Sequence, residues 1–195
     1  MTKKEFFKIR LYFTAIIAVS IWSLLAWNHY HGGVPSHHLA ANKDLPAISN
    51  GWGALVLPLL AWFLTYRIQR RIFDNREGSQ DPKKYFLPTL VRFAGALLFG
   101  IAISTCFSLG YSEITDYLVL GLLPLALFFP IYRAECLLGF VMAMTVTFGA
   151  ILPTGFGLFL VLVSLVLYRY IRPVIRYIFS KLALLATSSK HKPQQ

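Results

Sequence analysis

Charge is scarce in this chain, and acidic charge scarcest: 8 Asp and Glu residues stand against 19 Lys and Arg, and charged residues make up 14% of 195 positions. A soluble domain carries about a quarter charged residues, so a water-facing globular fold is excluded. No Asp, Glu, Lys or His falls in the middle of a long apolar run. Intramembrane ionisable groups mark proton relays, ion-driven carriers and retinal-type lysines, and their lack argues against those classes. Cysteine is limited to Cys106 and Cys136. They fall at opposite ends of the spans described next, too far apart to bridge, so no disulfide framework is implied. Internal repeats and low-complexity tracts are missing too.

What is present is apolar sequence, 56% of the chain. Six stretches, near residues 11–27, 51–67, 86–109, 117–132, 136–152 and 155–171, read as membrane-spanning helices. Threaded through them, all but Lys43 and Arg92 of the 19 basic residues fall on one side. Basic connections stay cytoplasmic, so both termini are expected inside and connections one, three and five outside. That sidedness also accounts for the net charge of +11 without a nucleic-acid partner. Lys3-Lys4 resembles the start of a signal peptide, but Ile16 to Trp27 runs into Asn28-His29-Tyr30 with no small-residue cleavage pattern, so the first helix is read as retained.

The expected fold is therefore all-α: a six-helix polytopic bundle, N-in and C-in, in a cytoplasmic (inner) membrane and in contact with its lipids. It forms a single integral-membrane domain over residues 1–187, with a disordered tail over 188–195. Beyond the last span, Ile171, Val174, Ile178, Leu182 and Leu185 share one helical face while Arg169, Arg172 and Arg176 share another. That pattern suits an interfacial amphipathic helix over about 172–186. Pro88 opens the third span, and Arg92, one turn further in, is expected to snorkel to the headgroups. Pro124 and Pro130 predict a kink in the fourth span. Arg133-Ala134-Glu135 reads as the fourth connection, and Leu152-Pro153-Thr154-Gly155 as a tight outward turn. Two stripes of small residues, Ala96, Gly100, Ser104 and Ser108 on the third span and Gly139, Ala143 and Thr147 on the fifth, allow close approach of another helix, including one from a further membrane subunit.

Candidate chemistry concentrates in the first outward connection. His29, His31, His37 and His38 lie there with Asp44, and Glu113 and Asp116 lie on another outward loop. Imidazole and carboxylate are the usual ligands of zinc and similar divalent ions, and imidazole moves protons near neutral pH. His31, His37, His38 and Asp44 are the candidate metal ligands; Asn50 and Trp52 complete a candidate ligand-binding floor. The spacing is no metal signature: adjacent His37 and His38 would point apart in a strand or helix, and no His-Glu-x-x-His pattern occurs. Ser36 beside His37 does not by adjacency make a nucleophile and base. The expected function is a binding or transport component that takes a small solute or metal ion at the outer face. Two alternatives stay open: an integral-membrane enzyme acting on a lipid-like substrate at the outer leaflet, and an assembly or scaffold subunit.

Overall fold

The computed structural model describes residues 2–38, 47–73 and 83–190. The described chain is nearly all helical: α1 (Lys3–Tyr30), α2 (Gly53–Phe73), α3 (Lys83–Ser108), α4 (Ser112–Phe128), α5 (Ala134–Phe148), α6 (Ile151–Val166) and α7 (Arg172–Lys190). Two short strands, β1 (Ser36–His38) and β2 (Ala47–Ser49), pair antiparallel between α1 and α2, with Ser36 opposite Ser49 and His38 opposite Ala47. The hairpin stands where the Gly-, Pro- and Asn-rich composition of this stretch predicts a loop. Asp44 and the rest of residues 39–46 lie outside the described residues.

Four helices are long and apolar enough to cross a membrane: Lys3–Tyr30, Asn50–Phe73, Lys84–Ser108 and Ile151–Lys181. Their outward faces carry exposed apolar side chains such as Val19, Leu59, Leu98 and Leu162. Exposed apolar surface on this scale belongs in lipid rather than water. The protein is thus a membrane-embedded helical bundle. α5 differs. Its 15 residues span only about 22 Å, short of the 30 Å hydrocarbon layer. It is buried almost without interruption from Glu135 to Val141. A helix that is apolar all round is a core helix, and α5 packs against α2, α3 and α6.

α1 begins with a capping box: Thr2 Oγ1 accepts from Glu5 N at 3.2 Å, and Glu5 Oε2 accepts from Thr2 N at 2.8 Å. One turn further in, Arg10 is buried. Its guanidinium lies 3.6 Å from the Trp62 ring centroid and donates to Gln69 Oε1 at 3.0 Å. Gln69 in turn donates to Lys3 O at 3.1 Å. This cation–π and hydrogen-bonded contact fastens α1 to α2 without a carboxylate. At the other end of the same pair, Trp22 Nε1 donates to Ala54 O at 3.0 Å.

α3 and α5 run parallel, with α4 as the return crossover. Their two small-residue stripes meet each other. A Cβ on Gly100 would sit 2.7 Å from Ala143 Cβ, and one on Gly139 would sit 2.5 Å from Phe93 O and 3.4 Å from Ala96 Cβ. The pairs 96/139 and 100/143 share one offset of 43 positions, and so does the ion pair of Arg92 with Glu135 below them. The four-residue spacing of both stripes keeps that register along the contact.

Several boundaries differ from the sequence reading. The turn between α5 and α6 is at Gly149-Ala150, not at 152–155. Gly149 takes φ +72°, and the Asn50 side chain fills the place its Cβ would need. Pro153 and Gly155 lie inside α6, where Pro153 falls in the first turn and loses no helical hydrogen bond. Glu135 is helical rather than loop. α4 begins at Ser112 and ends at Phe128, so Pro124 lies inside it and Pro130 beyond it. After α6 the chain does not break. A π turn, Leu167–Ile171, leads directly into α7, which runs to Lys190. The wider turn opens the hydrogen-bond ladder ahead of Pro173, which has no N–H to give and would crowd the carbonyl four residues back.

Because a methyl at Gly139 meets backbone atoms, Gly139→Ala is expected to destabilise the protein by about 1–3 kcal/mol. Gly121→Ala, where a Cβ meets nothing within 4 Å, is expected to be neutral or stabilising. Thermal unfolding of both variants in one detergent measures the difference.

Candidate functional site

The most concentrated polar chemistry in the described structure is at the end of the bundle where Lys3, Phe73, Lys83 and Ala134 lie. Glu135, in the first turn of α5, is 0% exposed. A buried carboxylate survives only if paired and hydrogen-bonded. Arg71 of α2 supplies a two-pronged contact: Nη1 to Oε2 at 3.0 Å and Nη2 to Oε1 at 2.9 Å. Arg71 Nη2 also donates to Thr89 Oγ1 at 3.0 Å, and that hydroxyl donates to Tyr85 O at 2.8 Å. Arg92 of α3 reaches Glu135 Oε1 only at 3.5 Å. This exceeds ordinary N–H···O length, so Arg71 neutralises the carboxylate and Arg92 keeps most of its donors uncommitted. The Arg92 side chain therefore turns inward to Glu135, where the sequence reading had it snorkelling to the headgroups.

Beside this cluster lies a cavity of about 620 Å³ between α3, α4, α5 and α6. α3 packs far more closely on α5 than on α4, and the space left beside α4 is the cavity. Its walls are apolar, among them Phe99, Leu122, Phe140 and Leu160. Gly95 widens it by presenting no side chain, whereas Gly157 lets the Leu137 side chain of α5 pack close against α6. Among the described residues, Arg92 is the one charged side chain in the lining. From Pro88 to Phe99 the α3 wall covers 11 residue steps, about 16 Å of helix. Cys136 also lines the cavity and, like Cys106, is a free thiol.

The sequence-derived candidates sit elsewhere. His29 is exposed and meets Tyr30 edge-on, with ring centroids 5.4 Å apart. His31 stacks on Trp27 at 3.8 Å, and its Nδ1 lies 2.9 Å from Trp27 O, an arrangement that satisfies the ring within α1. The backbone of His37 pairs with Ile48 and that of His38 with Ala47; their side chains, like Asp44, lie outside the described residues. Trp52 is exposed, and the Asn50 side chain packs on Gly149. Asn50 N donates to Pro35 O at 2.9 Å, which continues the pairing of β1 and β2 by one position at the open end of the hairpin. Glu113 and Asp116 are exposed at the start of α4. Among the described residues no group of three His, Cys, Asp or Glu side chains gathers to hold a metal ion.

The sequence does not assemble Arg71, Arg92 and Glu135 into a site: Arg71 reads as a basic flank, Glu135 as part of the fourth connection, and Arg92 as a residue inside the third span that snorkels to the headgroups. The available signal is Glu135 itself, an acid two residues after Arg133 at the start of an apolar span. Compared with protein-family models, curated proteins and solved structures, the chain matches none of them.

Arg71→Met leaves the Glu135 carboxylate buried with one distant partner and is expected to cost roughly 3–5 kcal/mol. The double variant Arg71→Met/Glu135→Met removes both charges and is expected to be more stable than that single variant. A double-mutant cycle on unfolding free energies, completed with Glu135→Met, reads the coupling directly.

Proposed function

We propose that this protein is a binding or transport component of a cytoplasmic membrane, and that its interhelical cavity takes a small lipid-like solute. The carrying observation is the cavity: about 620 Å³ of apolar-walled space with a single guanidinium at its edge. Protein interiors pack to crystal-like density and keep few voids larger than a water molecule. Ligand sites, by contrast, run to about 300–1,000 Å³, mostly apolar with a few placed polar groups. The shape and chemistry suit an amphiphile that brings its apolar chain in from the surrounding bilayer.

In this reading α1, α2, α3 and the α6–α7 helix span the bilayer, and the shorter α4 and α5 carry the chain across within the shelter of those four. The termini and the Arg71–Glu135–Arg92 cluster lie on the cytoplasmic side. The hairpin of β1 and β2 caps the outer side, where His29 and His31 meet headgroups. The distribution of basic residues supports that orientation. A secreted-enzyme reporter such as alkaline phosphatase, fused at residue 40, is expected to be active, and the same fusion at residue 78 inactive. The reverse pattern overturns the orientation.

Gly95 faces the cavity, and a Cβ there meets nothing within 4 Å. Gly95→Leu is therefore expected to fill the site without unfolding the bundle. Displacing two methylenes of a bound chain, at about 0.8 kcal/mol each, weakens binding more than tenfold. Dodecanol binding to wild type and variant, read by native mass spectrometry from detergent, tests the site. Equal binding by both overturns it.

A further inference from the structure

We infer that the cavity's ligand is a single-chain carboxylate amphiphile, an ionised fatty acid, whose head pairs with Arg92 at the cavity mouth. This deepens the cavity reading above and rests on it.

The chamber is open at one end and closed at the other. At the open end its lining includes Val91 on α3, 62% exposed, and Phe129 just beyond α4, 59% exposed. At the closed end Leu122 and Phe140 are each 6% exposed. Arg92 follows Val91 on the open side and is itself partly exposed. Its one polar contact among the described residues is the 3.5 Å approach of Nη1 to Glu135 Oε1. Nε and Nη2 therefore keep their donors for a ligand. An amphiphile entering between α3 and α4 meets the charge at the entrance and apolar wall beyond it.

The charge balance at the entrance selects the head. Two guanidiniums, Arg71 and Arg92, meet one carboxylate, Glu135, so the cluster carries one uncompensated positive charge. Beside apolar walls that charge is costly unless it is paired. A neutral head such as an alcohol leaves it unpaired. A phosphate monoester brings about −1.5 to −2 charges and sets the surplus next to Glu135. A carboxylate brings one charge and cancels it. It also matches the guanidinium in shape, since two planar groups can form two parallel N–H···O bonds. Arg71 and Glu135 already pair in that two-pronged way. The head then sits at Arg92, and the chain runs along the α3 wall toward Phe99. As the head arrives, Arg92 gives up its long contact with Glu135, while Arg71 keeps Glu135 satisfied.

The test titrates the full-length protein, in a non-ionic detergent at mildly alkaline pH, with dodecanoate, dodecanol, dodecyl phosphate and acetate. Native mass spectrometry and the shift in unfolding temperature are the readouts. Dodecanoate is expected to bind at least about tenfold more tightly than dodecanol. It is also expected to bind more tightly than dodecyl phosphate, and acetate at equal concentration is expected not to displace it. Arg92→Gln is expected to lower dodecanoate to the level of dodecanol while leaving dodecanol binding unchanged, which also reports that the variant is folded. Arg92→Lys keeps the charge without the planar fork and is expected to fall between Arg92→Gln and wild type. Equal affinity for dodecanoate and dodecanol, or a dodecanoate preference that survives Arg92→Gln, overturns the pairing with Arg92 and leaves the cavity reading standing. Dodecyl phosphate binding as tightly as dodecanoate overturns the singly charged head. Acetate binding as tightly as dodecanoate overturns the amphiphile. Failure of every chain to bind, or indifference to Gly95→Leu, overturns the cavity reading itself.

Discussion

A carboxylate with no exposure to solvent must be matched where it lies, and Glu135 is matched by two arginines from two other helices. That single requirement organises the basic end of the bundle. Arg71 must come from α2 and Arg92 from α3, so α2, α3 and α5 meet at one point whatever else they do. The energetic asymmetry is large. A buried pair gains little over an apolar substitute, but a buried charge without its partner costs several kcal/mol. The cluster therefore works less as an adhesive than as a condition on alignment: arrangements that misplace any of the three helices leave a charge stranded in apolar surroundings.

The alignment continues upward without further charge. From the Arg92–Glu135 contact, the small residues of α3 and α5 repeat at the same offset, Ala96 against Gly139 and Gly100 against Ala143. Close backbone approach takes over from electrostatics as the specifying contact. The consequence for the rest of the fold is geometric. α3 commits its small face to α5, so α4 cannot also pack tightly on α3. The space left beside α4 becomes the chamber, and Arg92 stands where ladder and chamber meet. One side chain thus both opens the registered ladder and supplies the charge in the chamber's lining.

Most of the helical content was legible because hydropathy and basic flanks speak to every helix independently. What failed were features that depend on a neighbour. Pro153 and Gly155 look like a turn in sequence, yet Pro153 sits harmlessly in a first helical turn, and the real break is Gly149, whose positive φ is supported by Asn50 from a distant segment. α5 looks like any other apolar span, but its shortness makes sense only inside a shell of other helices. The small stripes were recognised as contact surfaces; that each is the other's partner depends on a crossover no local pattern encodes. The candidate site suffered most. Imidazoles are conspicuous in sequence, whereas the burial of Glu135 is invisible until Arg71 and Arg92 are brought to it.

The constant offset of 43 positions has a consequence for how the molecule is made. Arg71 and Arg92 leave the ribosome before the acid they will hold. At about 5–20 residues per second, roughly two to nine seconds pass between Arg92 and Glu135. During that interval the carboxylate that Arg92 and Arg71 contact in the finished fold does not yet exist, so the contact of α5 with α2 and α3 can form only late in synthesis.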